Sequence, residues 1–202
     1  IFCNPGWYTA YTPYQPEVAQ GRLEMLLNYQ QMILDFTGMD IANASLLDEA
    51  TAAAEAIGLS RRVDKNNLNK IFISSDCNPQ TIDVIKTRTE VFDLQLIIGD
   101  QQKDLKNIKD DIICGVLSYP GTLGDISNPS EAISLIHKKK GKAILICDLL
   151  ALTKLKTPAE LGADIAVGNS QRFGIPMGYG GPHAAFFATK DEYKRAMPGR
   201  II

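Results

Sequence analysis

Short apolar runs alternate with longer stretches in which apolar residues recur at helical spacing over most of the chain. The runs at 70–74, 94–98, 112–118 and 142–147 predict strands, and two further runs occur at 164–167 and 184–188. Helical patterns at 78–88, 103–109 and 127–140 lie between them. Apolar strands separated by amphipathic helices indicate an α/β fold with a mostly parallel sheet.

The first part of the chain predicts two helices. One covers 17–37, where apolar residues form a stripe and Thr37-Gly38 provides an end. A short buried connection or strand is expected at 41–47. The second helix opens at Asp48, a good N-cap, and its row of alanines predicts close packing against neighbouring elements.

Residues 1–16 form an aromatic arm that we expect to be extended, because its prolines disfavour a regular helix. Tyr8, Tyr11 and Tyr14 recur at every third residue. One interpretation is that the arm packs on its own domain or on a partner subunit. The other is that one or two tyrosine hydroxyls project into a site as hydrogen-bond donors or proton carriers.

A glycine-rich stretch at 168–183, GNSQRFGIPMGYGGPH, separates the last two apolar runs. Glycine allows positive φ and close approach of the backbone to another surface. The stretch therefore predicts a shaped loop at the sheet edge where α/β proteins bind ligands. A tight connection between strands that binds no ligand is the alternative.

Charged residues near predicted strand and helix ends allow two interpretations each. Asp48 and Glu49 occupy a helix N-terminus that could receive a phosphate, but two carboxylates would repel it, which favours capping. Asp148 closes an apolar strand and either contacts a ligand or caps the next segment. His183 is ambiguous between a structural and a functional role, and His137 is expected on the surface.

Composition narrows the class of protein. The 202 residues are 45% hydrophobic and 22% charged, as in globular proteins with one α/β domain, and the net charge of −2 provides no field for nucleic acid or a membrane. No apolar run could span a bilayer, and residues 1–7 have no basic flank or apolar core and are not a signal peptide. Four scattered cysteines favour a reducing compartment and argue against a zinc site. The missing initiator methionine and the abrupt end predict a fragment truncated at both ends.

Several segments resemble glycine dehydrogenase (decarboxylating), the P-protein family of the glycine cleavage system. In chain order they are NPGWYTAYTPYQPE at 4–17, QGRLE at 20–24, ANASLLDE at 42–49, SQRFG at 170–174, GYGGPH at 178–183 and MPGR at 197–200. The resemblance covers essentially the whole chain. Ala50 departs from it, since the family usually has glycine there.

The resemblance implies the large domain of fold-type-I pyridoxal-phosphate enzymes, a mostly parallel seven-stranded sheet with helices on both faces. It implies glycine catabolism, in which glycine forms a Schiff base with pyridoxal phosphate and is decarboxylated. The aminomethyl group then passes to the lipoyl arm of the H-protein. The composition of the chain is equally compatible with the bacterial cytoplasm and with the mitochondrial matrix.

The family is built from two homologous halves, fused or as two subunits, and this chain resembles the first half of the fused form. The second half carries the Schiff-base lysine. Gln171 stands at the matching position here, and an amide cannot form an imine. The acidic Asp48-Glu49 pair likewise replaces a neutral phosphate loop. The resemblance therefore implies that this half binds no cofactor and that the other half binds pyridoxal phosphate.

Three hypotheses about this half follow. In the first, it supports the active site of the complementary half or subunit, with Tyr8, Tyr11 or Tyr14 bonding the glycine carboxylate or lining the entry for the lipoyl arm. In the second, it is purely structural and places no residue in that site. In the third, it is a self-sufficient pyridoxal enzyme that uses another lysine, such as Lys154 or Lys156.

Overall fold

The computed structural model describes residues 3–8 and 12–202, apart from the side chains of residues 7 and 8. The helices are α1 Pro5–Tyr8, α2 Gln20–Thr37, α3 Glu49–Val63, α4 Pro79–Glu90, α5 Ser130–Lys138, α6 Leu149–Leu152 and α7 Pro158–Leu161. The strands are β1 Ile41–Ala42, β2 Lys70–Ser74, β3 Gln95–Gly99, β4 Cys114–Tyr119, β5 Lys142–Cys147, β6 Ile165–Asn169 and β7 Ala185–Thr189. Four 3-10 turns cover Pro16–Val18, Leu105–Asn107, Gln171–Phe173 and Asp191–Ala196 of this part of the chain.

The strands form one seven-stranded sheet in the order β1-β7-β6-β5-β4-β2-β3. Strand β7 runs antiparallel to both of its neighbours, and the other adjacent pairs are parallel. The predicted mostly parallel α/β sheet is therefore confirmed.

Helices cover both faces of the sheet, as expected from strands that are apolar on both sides. Helices α3 and α4 pack on one face, where Ile57 and Ile85 meet the side chains of β2, β4, β5 and β6. Helices α2, α5, α6 and α7 pack on the other face around Ile33 and Ile136. Several alanines of α3 are fully buried, which confirms the close packing predicted for this helix.

Four local expectations differ from the structure. The prediction that prolines exclude a helix from the arm is wrong over Pro5–Tyr8, because proline at a first helical position needs no N–H partner. Helix α2 begins at Gln20 rather than at residue 17, after the 3-10 turn Pro16–Val18. The helix expected at 103–109 is only the 3-10 turn Leu105–Asn107. Helix α5 ends at Lys138, two residues before its expected end.

The prediction that His137 lies on the surface is confirmed, since its side chain is 40% exposed, and the residue also contacts a buried carboxylate. Its Nε2 lies 2.8 Å from a carboxylate oxygen of Asp164, which is 3% exposed. Asp164 also accepts hydrogen bonds from Lys190 Nζ and from the backbone N–H of Ala143. Asp164 directly precedes β6, so this buried carboxylate joins α5, β5 and β7 at the amino edge of the parallel strands.

Among the residues that the structure describes, no helix is long and apolar enough to cross a bilayer.

Candidate functional site

Loops and helix ends converge at the carboxyl edge of β2, β4, β5 and β6. Asn78 follows β2, Thr122 follows β4, Asp148 follows β5, and Asn169 ends β6. The N-terminus of α3, with Glu49, reaches the same place. Because parallel strands present their carboxyl ends together, this edge is where an α/β sheet ordinarily builds a site.

Asp48 and Glu49 have different roles: Asp48 caps helix α3, whereas the side chain of Glu49 makes contacts within the protein. Asp48 Oδ1 accepts a hydrogen bond from the N–H of Thr51 at 2.7 Å, so the predicted N-cap is confirmed. Glu49 turns inward, where one carboxylate oxygen accepts from Asn78 Nδ2 at 3.2 Å and the other from Asn169 Nδ2 at 3.0 Å. Both carboxylate oxygens of Glu49 therefore have partners within the protein.

Burial raises the pKa of the Glu49 carboxyl above its ordinary value of 4.5. The hydrogen bonds from Asn169 and Asn78 and the charge of His183 act in the opposite direction, and Asp148 raises the pKa further. Desolvation of the charged form has the largest effect on this pKa, as is usual for a carboxylate that is removed from water and has amides rather than cations as its hydrogen-bonding neighbours.

The two asparagines extend the contact of Glu49 to other loops. Asn78 Oδ1 accepts from the hydroxyl of Thr122 at 2.7 Å, and Asn169 Oδ1 accepts from the N–H of Gln171 at 3.2 Å. One carboxylate at the start of α3 thus connects the loops that follow β2, β4 and β6. We call these residues the Glu49 network: Glu49, Asn78, Thr122, Asn169 and Gln171.

The side chain of Gln171 forms a hydrogen bond with the glycine-rich loop. Its Nε2 donates to the carbonyl of Gly180, and the backbone carbonyl of Gln171 accepts from the N–H of Ile175 at 3.1 Å. Gly181 has φ +71°, and a Cβ there would lie 2.6 Å from the carbonyl oxygen of Pro176. The tight loop therefore requires glycine at this position.

Asp148 makes two contacts at the end of β5. One oxygen accepts from the N–H of Leu150 at 2.9 Å, which confirms the N-cap interpretation. The other lies 2.9 Å from Nη1 of Arg172, next to Gln171. This half-exposed ion pair ties the start of α6 to the turn after β6.

The three tyrosines proposed from sequence are only partly described. Tyr14 is 70% exposed, whereas Tyr11 and the side chain of Tyr8 lie outside the described residues. The arm is held near the other end of the chain, since Arg200 Nη1 donates to the carbonyl of Pro13 at 2.8 Å.

Sequence reasoning missed a fourth tyrosine, Tyr29 of α2. Its hydroxyl lies 3.4 Å from Ser170 Oγ and 3.5 Å from the carbonyl oxygen of Ala185, where the glycine-rich loop begins and ends. Burial raises the pKa of Tyr29, and the bond with Ser170 opposes this. Phe36, seven residues further along the same helix face, stacks on Phe173 with ring centroids 5.2 Å apart. This shared aromatic face was the signal available in the sequence.

Other candidate groups lie apart from the Glu49 network. Lys154 and Lys156 are exposed between α6 and α7. His183 is exposed, with Nδ1 3.0 Å from the carbonyl oxygen of Gly181. Cys77, Cys114 and Cys147 are buried, and Cys3 is exposed. No group of three or more His, Cys, Asp or Glu side chains within the described ranges could hold a metal ion.

Large apolar side chains surround this edge and are exposed. They come from the residue before the α3 cap, from α6 and from the glycine-rich loop: Leu47, Leu150, Phe173, Met177 and Tyr179. Apolar groups concentrated along one edge are typical of a surface that another part of a protein covers.

Comparison with known proteins identifies the family. All 202 residues match the Glycine cleavage system P-protein family. The glycine dehydrogenase (decarboxylating) of Pelagibacter ubique is 78% identical over the whole chain, which spans 21% of that relative's length. The chain therefore covers about a fifth of the curated relatives that it matches.

Solved structures agree with this assignment. A glycine decarboxylase (P-protein) of the glycine cleavage system, in inhibitor-bound form, superposes with a TM-score of 0.89 at 36% identity, covering 97% of this chain and 45% of that one. A cystathionine gamma-lyase from Lactobacillus plantarum reaches 0.71 at 15% identity, covering 93% and 50%, and shares the fold alone. The chain belongs to the glycine cleavage system P-protein family.

Proposed function

We propose that this segment is a supporting part of glycine decarboxylase, the enzyme that decarboxylates glycine with pyridoxal phosphate and transfers the aminomethyl group to the lipoyl arm of the H-protein. The observation that carries the proposal is the position of Gln171. It stands where the family resemblance places the Schiff-base lysine, and its amide donates a hydrogen bond to the carbonyl of Gly180 in the glycine-rich loop.

The residues at this edge do not fit pyridoxal phosphate. An amide nitrogen is delocalised and cannot attack an aldehyde, so Gln171 offers no anchor. The helix N-terminus that would attract a phosphate holds the buried carboxylate of Glu49, whose charge would repel it. The cofactor, which supplies an electron sink when bound, belongs in this proposal to the complementary half.

The exposed apolar edge supports contact with the rest of the enzyme. Met177 and Tyr179 of the glycine-rich loop expose most of their side chains, and Leu47 beside the α3 cap is 78% exposed. The curated relatives are about five times longer than this chain, so ample protein exists to cover this surface. The partner in this proposal is the complementary half or second subunit, and lipoylated H-protein and glycine are the further partners of the assembled enzyme. Its compartment would be the bacterial cytoplasm or the mitochondrial matrix.

The contribution of the arm separates this proposal from a purely structural role. In the first case, Tyr8, Tyr11 or Tyr14 reaches the partner's active site and bonds the substrate carboxylate or lines the lipoyl entry. The exposure of Tyr14 supports a contact beyond this segment. In the second case, no residue of this half touches substrate, and replacing the three tyrosines with phenylalanine leaves turnover unchanged.

Borohydride trapping tests the proposal directly. The full-length enzyme containing this segment is loaded with pyridoxal phosphate, reduced and digested, and pyridoxylated peptides are mapped by mass spectrometry. We expect no modified lysine within this segment and one in the complementary half. A stoichiometric adduct on a lysine of this segment, such as Lys154 or Lys156, would refute the proposal.

Glycine–CO2 exchange then distinguishes the two roles of the arm. We expect at least one of the phenylalanine variants of Tyr8, Tyr11 and Tyr14 to lower turnover about tenfold or more, since a hydrogen bond to a charged substrate contributes about 1.5–3 kcal/mol. Unchanged circular dichroism would confirm that the fold is intact. Unchanged turnover in all three variants would favour the structural role.

A further inference from the structure

A cavity lies at the carboxyl edge, away from the Glu49 network and towards the outer strand β3 of the sheet. It has a volume of about 400 Å³ and opens where β2 and β3 end, beside the loop after β4. Its walls are residues 74–76, 100–102 and 125–127. These residues are mostly serine, glutamine and aspartate, so the cavity is polar.

Three buried oxygen atoms in the walls of this cavity have no hydrogen-bond partner among the described residues. They are Ser74 Oγ, Asp76 Oδ1 and Gln101 Oε1. Ser74 is 1% exposed and Gln101 is 7% exposed. Buried polar atoms in folded proteins are nearly always paired, so three together indicate a group that supplies the missing partner.

The orientation of Gln101 defines what that partner must be. Its Nε2 donates to Asp76 Oδ2 at 3.3 Å and to Ser127 Oγ at 3.1 Å. The amide is therefore fixed with its carbonyl oxygen as the unpaired atom. Asp76 Oδ1 is a second acceptor and Ser74 Oγ can be a third. A ligand that meets acceptors on several sides is a cation or a multiple hydrogen-bond donor.

The charge of the cavity favours a cation. Asp76, Asp100 and Asp125 contribute to its walls, and no Lys, Arg or His does. The charge of Asp100 is already paired, because Lys103 Nζ lies 3.5 Å from one of its oxygens and the other accepts from the N–H groups of Gln102 at 2.7 Å and Lys103 at 3.0 Å. Asp125 is exposed, which leaves the half-buried carboxylate of Asp76, with its buried Oδ1, together with neutral oxygens.

The number of unpaired carboxylates in the cavity indicates the charge of the cation that it can bind. No group of three or more acidic, histidine or cysteine side chains within the described residues could hold a metal ion, so this cavity lacks the carboxylates that a dedicated Ca²⁺ site gathers. One carboxylate with an amide oxygen and a hydroxyl balances a single positive charge and offers only hard oxygen donors.

We propose that this cavity binds a singly charged cation, held by Asp76, Gln101 and Ser74. The source is either an alkali metal ion, with K⁺ as the probe, or the ammonium or guanidinium group of a side chain outside this segment. The cation would hold the turn after β2, which the loop after β4 already contacts through the 2.7 Å bond from the N–H of Thr122 to the carbonyl of Asp76. This inference is independent of the reaction proposed above.

Thermal unfolding and crystallography of the full-length enzyme test the proposal together. Unfolding is compared in KCl and in tetramethylammonium chloride at equal ionic strength, and crystals are grown with RbCl to locate the ion by anomalous scattering. If the ion is a metal, Tm is higher in KCl and a rubidium peak lies against Gln101 Oε1. If the source is the protein, Tm is the same in both salts and a Lys or Arg nitrogen lies there instead; both results support the cation site.

Substitution of Ser74 provides a sharp test because its hydroxyl has no other partner among the described residues. Ser74→Ala removes a ligand without breaking a described hydrogen bond, so we expect a folded protein in which the K⁺-dependent rise in Tm is lost or the cationic side chain is displaced. Ser60→Ala is the matched control, since this buried hydroxyl bonds the carbonyl of Ala56 in α3. Asp125→Asn is a second variant at the exposed mouth, where we expect weaker K⁺ dependence or displacement of the cationic side chain.

Two results would overturn the proposal. One is a cavity that contains water alone in crystals grown with RbCl. The other is a Ser74→Ala enzyme that keeps the full K⁺-dependent shift and an unchanged rubidium or side-chain position. Neither result depends on glycine turnover, so failure here is distinguishable from failure of the proposed function.

Discussion

A carboxylate oxygen of Glu49 lies 3.0 Å from the side-chain nitrogen of Asn169, although 120 residues separate them in the chain. This contact joins the start of α3 to the end of β6. Through Asn169 it also reaches the N–H of Gln171, at the entrance to the glycine-rich loop. The geometry of the loop therefore depends on a residue far away in sequence.

Removal of the Glu49 carboxylate will destabilise the carboxyl edge of the sheet. Glu49→Ala leaves the half-buried amides of Asn78 and Asn169 without their acceptor, and an unsatisfied group costs about 1–3 kcal/mol when it is fully buried. We expect a loss of about 2–4 kcal/mol in the free energy of unfolding, measured by urea titration. Glu24→Ala, at an exposed glutamate of α2, is the control and will change stability by less than about 0.5 kcal/mol. Equal losses in both variants would refute the role of the Glu49 network.

The pH dependence of stability gives a second test of Glu49. Because its pKa is raised in the folded state, the folded protein binds more protons than the unfolded chain between pH 4.5 and the folded pKa. Stability contributed by this group therefore falls as the pH rises through that window. Relative to Glu49→Gln, the wild type will lose stability from pH 4.5 upwards. A difference between the two proteins that does not vary with pH would contradict the raised pKa.

Gln171 will control the motion of the glycine-rich loop. Gln171→Ala removes the bond to the Gly180 carbonyl, and a single hydrogen bond contributes about 0.5–1.5 kcal/mol. We expect amide hydrogen exchange between residues 174 and 182 to become about tenfold faster, with little change in β6. Gln31→Ala, which removes an exposed contact with Asp35 on α2, is the matched control and will leave the loop unchanged.

Asp164 will stabilise the amino edge of the sheet. Burial raises its pKa, but hydrogen bonds from Lys190, Ala143 and His137 outweigh this and the net pKa is lowered below 3.8. Asp164→Asn weakens charge-assisted bonds that contribute about 1.5–3 kcal/mol each, so we expect at least about 2 kcal/mol of destabilisation at pH 7.

The same residue predicts an acid transition with the opposite sign to that of Glu49. A lowered carboxyl pKa contributes stability that is complete above pH 3.8 and is lost as the pH falls towards the folded pKa. Urea titrations at pH 7 and at pH 3 measure this. The gap between wild type and Asp164→Asn will narrow at pH 3, and a constant gap would disprove the assignment.

The sequence predicted the sheet well because strand signals are local. Runs such as 142–147 are apolar on both faces, and the structure places a buried strand there. The caps at Asp48 and Asp148 were also predictable, since an N-cap bonds a backbone N–H only two or three residues away.

The candidate site was less predictable because its contacts join distant loops. The inward turn of Glu49 depends on where Asn78 and Asn169 lie, which the topology of the sheet decides. Likewise, the pairing of His137 with Asp164 requires α5 to pack beside the start of β6. The sequence placed His137 on the surface and Glu49 at a helix N-terminus, and only the tertiary structure shows which side chains they pair with.

Strand β7 lies antiparallel beside β6, with Asn169 opposite Ala185. The chain from 170 to 184 consequently leaves and re-enters the sheet at adjacent points, so its closure is set by the core and not by its own length. Lengthening a flexible loop costs only about 0.6 kcal/mol for each doubling when its ends are already fixed. An insertion in this hairpin will therefore leave the strand register the same, while it changes the loop surface that we propose contacts the rest of the enzyme.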